Sequence, residues 1–159
     1  MRRKDKEIKN NTEMYEIIRQ AIFCNVAMCK NNHPYIVPMN FGFYDETIYL
    51  HSSNEGDKID ILKSNPQVCI GIVQDVKIKP NPDIVCKTGT NYNSVIIFGK
   101  AECLSGEKEK IKALKCIVEH YNQDIAQAKE KKINFDKDAL NKLTVLKVKI
   151  EKITGKQSV

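Results

Sequence analysis

The chain has no tryptophan, no pair of closely spaced cysteines and no apolar run as long as a membrane span. A transmembrane helix needs roughly 20 consecutive apolar residues, and the apolar stretches here have the length of strands. No apolar segment follows the basic residues Arg2 and Arg3, as a secretory signal would require. These absences predict a protein of the cytoplasm with no membrane partner.

The sequence also has few potential metal ligands. Its three histidines, His33, His51 and His120, stand at unrelated spacings, which predicts no metal site. The six cysteines form no CxxC motif, and most of them lie among apolar residues. We therefore interpret them as reduced thiols that pack as small hydrophobic groups.

The net charge of +6 comes from lysines that are spread along the chain. Aromatic residues do not interleave with a basic cluster, as a nucleic-acid platform would need, so the lysines are predicted to keep the protein soluble and no nucleic-acid partner is expected. Neither GxGxxG nor GxxxxGK[ST] occurs. Their absence argues against a parallel nucleotide-binding sheet.

The apolar pattern predicts one domain, residues 1–159, without repeats or linkers. The predicted strands cover residues 23–30, 35–43, 47–51, 67–79, 92–103 and 143–153. Helices are predicted at 12–22, in a short stretch that ends at Asn65-Pro66, at 106–122 and near 136–142. Hairpin links in the centre favour a β-barrel with peripheral helices.

A polar loop lies between the strand at 47–51 and the short helix. Ser52 and Ser53 offer hydroxyl groups, Gly56 allows close approach of a ligand, and Lys58 adds a positive charge in the first helical turn. Together with free helix N–H groups they could hold a phosphate monoester. Asp57 opposes an anion unless its side chain points away. The alternative is that the loop is an ordinary helix cap and that Lys58 is solvated.

The preceding strand, residues 35–43, alternates apolar and mixed positions. Pro38 lacks an N–H, which predicts an edge or a bulge. The backbone of Val37, Met39 and Asn40 is then available to a ligand, and Gly42 leaves room on the same face. This suits a flat heteroaromatic ring with polar edges. The alternative is that Asn40 is a polar residue at the barrel rim whose hydrogen bonds are already made.

These stretches carry a family resemblance. Residues 36–70, IVPMNFGFYDETIYLHSSNEGDKIDILKSNPQVCI, followed by YNSVIIFGKAEC and KVKIEKITGK, resemble the pyridoxamine 5′-phosphate oxidase-related flavin-binding split barrels, and most of all their nitroimidazole-resistance branch. The resemblance extends over nearly the whole chain. It implies a six-stranded antiparallel split β-barrel, mainly β with peripheral helices, that forms a homodimer and binds one FMN at each of two subunit interfaces.

The resemblance also implies a set of cofactor-binding residues. These are Val37, Pro38, Met39, Asn40, Phe41, His51, Ser52, Ser53, Lys58, Tyr92 and Ser94. The first five would lie along the isoalloxazine ring, and His51 and Ser52 would approach the ribityl-phosphate side. Lys58 would pair with the phosphate. Tyr92 and Ser94 belong to the block near the subunit interface.

The sequence departs from the family pattern at three places. Asn93 replaces an arginine, the tryptophan expected soon after Cys86 is absent, and Asp57 stands where a second basic phosphate ligand is usual. The substrate-binding residues of a true pyridoxamine phosphate oxidase are not evident. Vitamin B6 synthesis is therefore not assigned.

The leading hypothesis is an FMN-dependent reductase acting on a small electrophilic aromatic substrate such as a nitro compound. His51 is the candidate catalytic residue, because an imidazole transfers protons near neutral pH; its alternative role is to hold the loop in place. A second hypothesis is a flavin- or small-ligand-binding protein without physiological turnover. A third is a basic interaction domain with an empty pocket.

Overall fold

The structure is a computed structural model that describes residues 2–121 and 136–158. Its strands are β1 Glu7–Ile8, β2 Cys24–Lys30, β3 His33–Met39, β4 Phe41–Tyr44, β5 Thr47–Ser53, β6 Gln67–Lys79, β7 Gly89–Cys103, β8 Leu143–Lys149 and β9 Lys152–Ser158. The helices are α1 Asn11–Gln20, α2 Asp57–Ser64, α3 Glu107–Tyr121 and α4 Lys137–Asn141, with single 3₁₀ turns at Lys4–Lys6 and Val85–Lys87. Within these residues no helix is long and apolar enough to cross a membrane.

Every pair of neighbouring strands is antiparallel. The strand order is β3-β2-β6-β7-β8-β5-β4, and β9 pairs with both β7 and β1. Strand β7 joins the two halves, because its middle pairs with β9 and its end pairs with β8. This arrangement confirms the predicted mainly β fold with an antiparallel split barrel.

Each of the six predicted strands is present, but two of the predicted stretches form two strands each instead of one. The stretch 35–43 breaks at Asn40, so that β3 pairs with β2 while β4 pairs with β5. The stretch 143–153 breaks at Ile150 and Glu151, between β8 and β9. Both breaks let the chain pass from one half of the barrel to the other. A period-2 pattern continues through such a corner, because the side chains keep alternating.

The barrel core is closed by α1, whose Met14 and Ile18 are buried against it. The helix is predicted correctly but ends at Gln20, so Ile22, placed on its apolar face by the pattern, is 73 % exposed instead. Its cap is Asn10, whose side-chain oxygen accepts a 2.8 Å hydrogen bond from the Thr12 backbone N–H.

Helix α3 packs on the outside of β4 and β5. Its apolar side and α4 enclose a second, smaller core with β8. A Cβ at Gly42 would lie 2.7 Å from the backbone of Cys116, so the strand and the helix backbone touch directly at this glycine. The prediction near 136–142 is confirmed as α4, and the polar stretch 123–135 lies outside the described residues.

One face of the sheet formed by β3, β2, β6 and β7 carries apolar side chains that nothing in the described chain covers. Apolar or small residues occupy both faces of the first half of β6, which predicts that both faces are buried. That prediction is wrong, since Val68, Ile70 and Ile72 are buried while Val73 is 56 % exposed. We call this surface the open sheet face. Its apolar members are Ala27, Ile36, Cys69, Val73, Ile96 and Phe98.

A glycine inside the apolar strand 92–103, Gly99, predicts a bulge or a close approach of the backbone, and the structure has the close approach. A Cβ there would overlap the carbonyl oxygen of Lys149. The Glu151 backbone N–H donates to the Phe98 carbonyl at 3.0 Å beside it, so this glycine admits the corner between β8 and β9. All six cysteines are free, and Cys86 in the predicted loop after β6 is exposed.

Candidate functional site

Helix α2 begins without a side-chain cap. Its N-cap is Gly56 at φ +107°, a left-handed conformation that glycine adopts without strain. The side chain of Asn54 instead donates to the Asn141 carbonyl at 2.7 Å and accepts from the Thr144 hydroxyl at 3.0 Å. The alternative interpretation, in which the side chains of this loop cap the helix, is therefore wrong. The Ile59 N–H already donates to the Gly56 carbonyl at 2.9 Å, so within the described residues the N–H groups of Asp57 and Lys58 are the ones that stay available for an anion.

Lys58 is half-buried in that first turn. Burial lowers the pKa of its ammonium group, and no hydrogen bond or ion pair engages this group within residues 2–121 and 136–158. Asp57, by contrast, is exposed and lines a separate cleft with Lys30 and His33. The carboxylate therefore lies away from the side of the helix where Lys58 is half-buried.

His51 lies on β5 opposite Val145 of β8. Its Nδ1 atom is buried and has no hydrogen-bond partner in the described part of the chain. Burial, and then the positive charge of Lys58, lower the pKa of the imidazole, so the ring is neutral at pH 7. A buried polar atom without a partner is rare in folded proteins and is the kind of atom that a ligand satisfies.

Ser52 and Ser53 follow His51 on the same strand, opposite Thr144 and Leu143. Ser52 is partly exposed and Ser53 is exposed. The structure therefore brings the imidazole and the ammonium group close enough to interact, at the end of β5 and the start of α2, while the two hydroxyl groups follow on the same strand and point to opposite faces of it. This arrangement can hold an anion and move a proton.

Strand β3 is the last strand on its side of the sheet. It pairs with β2 along one edge, and no strand of the described chain pairs with its other edge. Pro38 lies in this strand opposite Asn25, as the missing N–H predicts. Val37 is partly exposed, Met39 is buried and Asn40 is exposed. The backbone at this edge and the Asn40 amide are therefore accessible to a ligand.

Two neighbouring residues differ from the arrangement expected for a ring site. Phe41 is fully buried, and its backbone N–H donates to the Tyr121 hydroxyl at 2.8 Å. The space that Gly42 was expected to leave for a ligand is filled by the backbone of α3. Tyr121 is a residue that the sequence analysis missed as a site neighbour; its only local signal was its place on the apolar stripe of α3.

Tyr92 and Ser94 lie on β7, which β2 and β6 separate from β3 in the sheet. The Ser94 hydroxyl donates to the Lys156 carbonyl at 3.2 Å, and Lys156 Nζ lies 5.5 Å from the centre of the Tyr92 ring. Asn93 donates from its side-chain amide to Asp75 at 2.8 Å. One copy of the chain thus places this block apart from the edge of β3.

Comparisons with known proteins agree with this architecture. The sequence model of a family described as pyridoxamine 5′-phosphate oxidase matches residues 10–157. A curated relative, an uncharacterised protein of Rhizobium meliloti (strain 1021), is 28 % identical over 67 residues, which are 42 % of this chain and 44 % of that protein. The matched region thus spans less than half of that relative.

Two solved structures give the wider comparison. A proposed 5-nitroimidazole antibiotic resistance protein from Bacteroides thetaiotaomicron is 32 % identical, with a TM-score of 0.81 over 94 % of this chain and 85 % of that one. A flavocytochrome from Azotobacter vinelandii is 17 % identical, with a TM-score of 0.85 over 100 % of this chain and 72 % of that one. The second likeness concerns the fold alone. By the family match and the first of these structures, the chain belongs to the pyridoxamine 5′-phosphate oxidase-like family.

Proposed function

We propose that this protein binds FMN and uses it to reduce a small electrophilic aromatic compound, such as a nitroaromatic. The observation that carries the proposal is the pair formed by Lys58 and His51. A half-buried ammonium group without a partner in the described residues lies near a buried imidazole nitrogen that also lacks one. The solved structures with this fold include a FAD- and heme-binding protein of Mycobacterium smegmatis, which supports a flavin as the ligand class.

The start of α2 fits the phosphate end of such a cofactor. Free first-turn N–H groups and the partial positive charge of a helix N-terminus favour an anion. Lys58 is already partly desolvated, so a phosphate would gain a charge-assisted hydrogen bond there. A terminal monophosphate reaches a helix start without the further groups that a dinucleotide carries. This favours FMN over FAD as the resident cofactor.

The edge of β3 fits the polar rim of the isoalloxazine ring. Val37, Pro38 and Asn40 supply backbone and amide groups at an edge that lacks a neighbouring strand in the described chain. Pro38 prevents another strand from pairing fully there. The buried residues Met39 and Phe41 contribute by fixing the strand in the barrel.

The complete site requires a second copy of the chain. Tyr92 and Ser94 are separated from β3 within one protomer, and the open sheet face presents apolar side chains to solvent. A homodimer that covers this face would bury Val73 and Phe98 and bring the β7 block of one protomer to the cofactor of its partner. Large exposed apolar patches mark such interfaces.

The residues of this chain would then divide the work of the reaction. The bound flavin supplies the electron transfer. Lys58 and the start of α2 hold the phosphate, and the β3 edge orients the ring. His51 is neutral at pH 7, and its Nδ1 has no hydrogen-bond partner among the described residues. It can relay a proton between solvent and the substrate, because reduction of a nitro group consumes protons as well as electrons.

A visible spectrum of the purified protein, before and after addition of FMN and removal of the excess, is the first test. Retained, shifted flavin bands are expected; their absence under several conditions would contradict the proposal. Oxidation of a reduced nicotinamide in the presence of a 5-nitroimidazole then distinguishes a reductase from a flavin-binding protein without turnover. His51→Asn should lower that turnover more than it lowers FMN affinity.

A further inference from the structure

A second cleft, of about 380 Å³, opens beside the β4–β5 hairpin, with Phe43, Tyr44 and Tyr49 in its lining. Helices α1 and α3 form its other walls, and neither Lys58 nor His51 is among the described residues that line it. Its size lies at the lower end of the range for small-molecule sites. It is therefore large enough for a ligand of one or two rings.

Aromatic rings and cations alternate around this cleft. Arg19 lies with its guanidinium carbon 5.7 Å from the centre of the Phe43 ring, and Lys112 Nζ lies 5.7 Å from the centre of the Tyr44 ring. Lys115 is a further cation in the lining, where the acidic side chain is Glu119; Arg19 is paired with Glu16 at 3.4 Å, so the two lysines carry the positive charge of the cleft. The balance of charge favours an anion, and the rings favour a flat partner.

The edge of β4 adds a backbone donor to the cleft. The Phe41 N–H points away from β5, since it donates to Tyr121. Because backbone groups alternate in direction along an antiparallel strand, the N–H and carbonyl of Phe43 point to the same open side. No neighbouring strand pairs with this edge in the described chain, so the Phe43 N–H can donate to a ligand.

The thiol in the cleft is not suited to covalent chemistry. Burial raises the pKa of Cys116 to about 11, so the group is a protonated thiol at pH 7. Tyr49, opposite Gly42 on β5, also has its pKa raised, chiefly by burial, so its hydroxyl stays protonated as a hydrogen-bond donor. The cleft thus offers binding groups and no activated nucleophile among the residues described.

We infer that this cleft is a binding site for a planar aromatic carboxylate, separate from the proposed flavin site. The ring of the ligand would stack beside Tyr44 and Phe43. Its carboxylate would pair with the Lys115 ammonium group and accept a hydrogen bond from the Phe43 N–H. The aromatic faces account for the flat ligand, and the cations for its negative charge. This inference stands whether or not the flavin proposal does, because it uses none of the same side chains.

Calorimetric titration of 1-naphthoate into the full-length protein, alone and saturated with FMN, tests the inference. We expect one saturable site per chain in both states and no comparable binding of 1-naphthylmethylammonium. Lys115→Glu should weaken naphthoate binding about tenfold or more, because it replaces attraction by repulsion at close range. The matched variant Lys108→Glu makes the same charge change on an exposed residue of α3 outside the cleft, and should change the affinity by less than about threefold.

Tyr44→Ala is the second variant, because it removes a ring that is 60 % exposed and leaves the charge unchanged. It should weaken binding about fivefold or more through the lost stacking. Any of four results would overturn the inference: no saturable binding at millimolar naphthoate, equal loss in both lysine variants, equal binding of the cationic analogue, or abolition of binding by FMN.

Discussion

The hydroxyl of Tyr121 accepts a 2.8 Å hydrogen bond from the backbone N–H of Phe41, 80 residues earlier in the chain. The neighbouring His120 ring lies 4.4 Å from the Phe41 ring and its Nε2 lies 2.8 Å from the Ala21 carbonyl. The end of α3 thereby holds the corner between β3 and β4, next to Asn40. It fixes the edge strand that the proposed flavin ring would contact.

Removal of this hydroxyl should destabilise the protein. Tyr121→Phe leaves the Phe41 N–H without a partner, and such a loss costs about 1–3 kcal/mol in the free energy of unfolding. Urea denaturation monitored by circular dichroism would measure it. Tyr44→Phe is the control, because that side chain is largely exposed; equal effects of the two changes would show that the Tyr121 bond does not contribute.

Loss of the Lys58 ammonium group should weaken FMN binding. Lys58→Ala is expected to cost about 1.5–3 kcal/mol, or roughly ten- to 150-fold in Kd, because it removes a charge-assisted contact. Riboflavin, which lacks the phosphate, should be affected far less. Lys63→Ala on the exposed side of the same helix is the matched control. An unchanged FMN Kd, measured by flavin fluorescence, would exclude Lys58 from the site.

Stability should fall as the pH falls through the histidine range. The pKa of His51 is lowered from 6.5 in the folded protein, so the unfolded chain binds the proton more readily. The resulting stabilisation is fully present above pH 6.5 and is lost as the pH falls from there through the folded-state pKa. His120 adds to the effect in the same direction.

The variant His51→Asn should therefore flatten the dependence of the unfolding free energy on pH below 6.5. Urea titrations between pH 7.5 and 5 would measure the slope. His33→Asn is the matched control, because His33 is exposed at the start of β3. A slope that matches the wild type in the His51 variant would show that this imidazole is not perturbed by the fold.

The contact between Gly42 and α3 should be intolerant of a side chain. A Cβ at Gly42 would lie 2.7 Å from backbone atoms of Cys116 and Ile117, so Gly42→Ala must displace the helix. Overpacking of this kind costs about 1–3 kcal/mol. Gly89→Ala meets open space and should be close to neutral. A thermal melt of both variants tests the contact, and equal melting temperatures would contradict it.

A charge on the open sheet face should prevent the proposed dimer. Phe98→Glu would place a carboxylate in an apolar interface, where burial of a charge is strongly unfavourable even beside Lys152, whose Nζ lies 5.9 Å from the centre of the Phe98 ring. Light scattering coupled to size-exclusion chromatography should then show a monomer, with weakened FMN binding. Tyr44→Glu is the control on a different surface. A monomeric wild-type protein, or a dimeric Phe98 variant, would contradict the proposed interface.

The sequence predicted what depends on local pattern. The alternation in residues 35–43 placed Met39 and Phe41 on one face, and the structure buries both of them although the strand is broken. Lys58 was placed at the helix start from the loop and Asn65-Pro66 alone. Such features follow from side-chain periodicity, turn residues and helix stops, which act over a few positions.

What lies far apart in sequence was decided only by the tertiary structure. The break at Asn40, the approach of α3 to Gly42 and the hydrogen bond from Phe41 to Tyr121 each depend on segments tens of residues away. A period-2 pattern gives the two faces of a strand but not the strand that pairs with it, or the helix that covers it.

The same distinction applies to the candidate site. The sequence marked His51 as a candidate for proton transfer and Lys58 as a candidate phosphate ligand, on either side of a loop. Only the fold buried the Nδ1 atom of His51 with no hydrogen-bond partner among the described residues. Only the fold placed Lys58 close enough to lower the pKa of the His51 imidazole. Desolvation and the proximity of charges are properties of three-dimensional packing. The residue types therefore indicated the chemistry of the site, and the barrel determined which of these residues lie together.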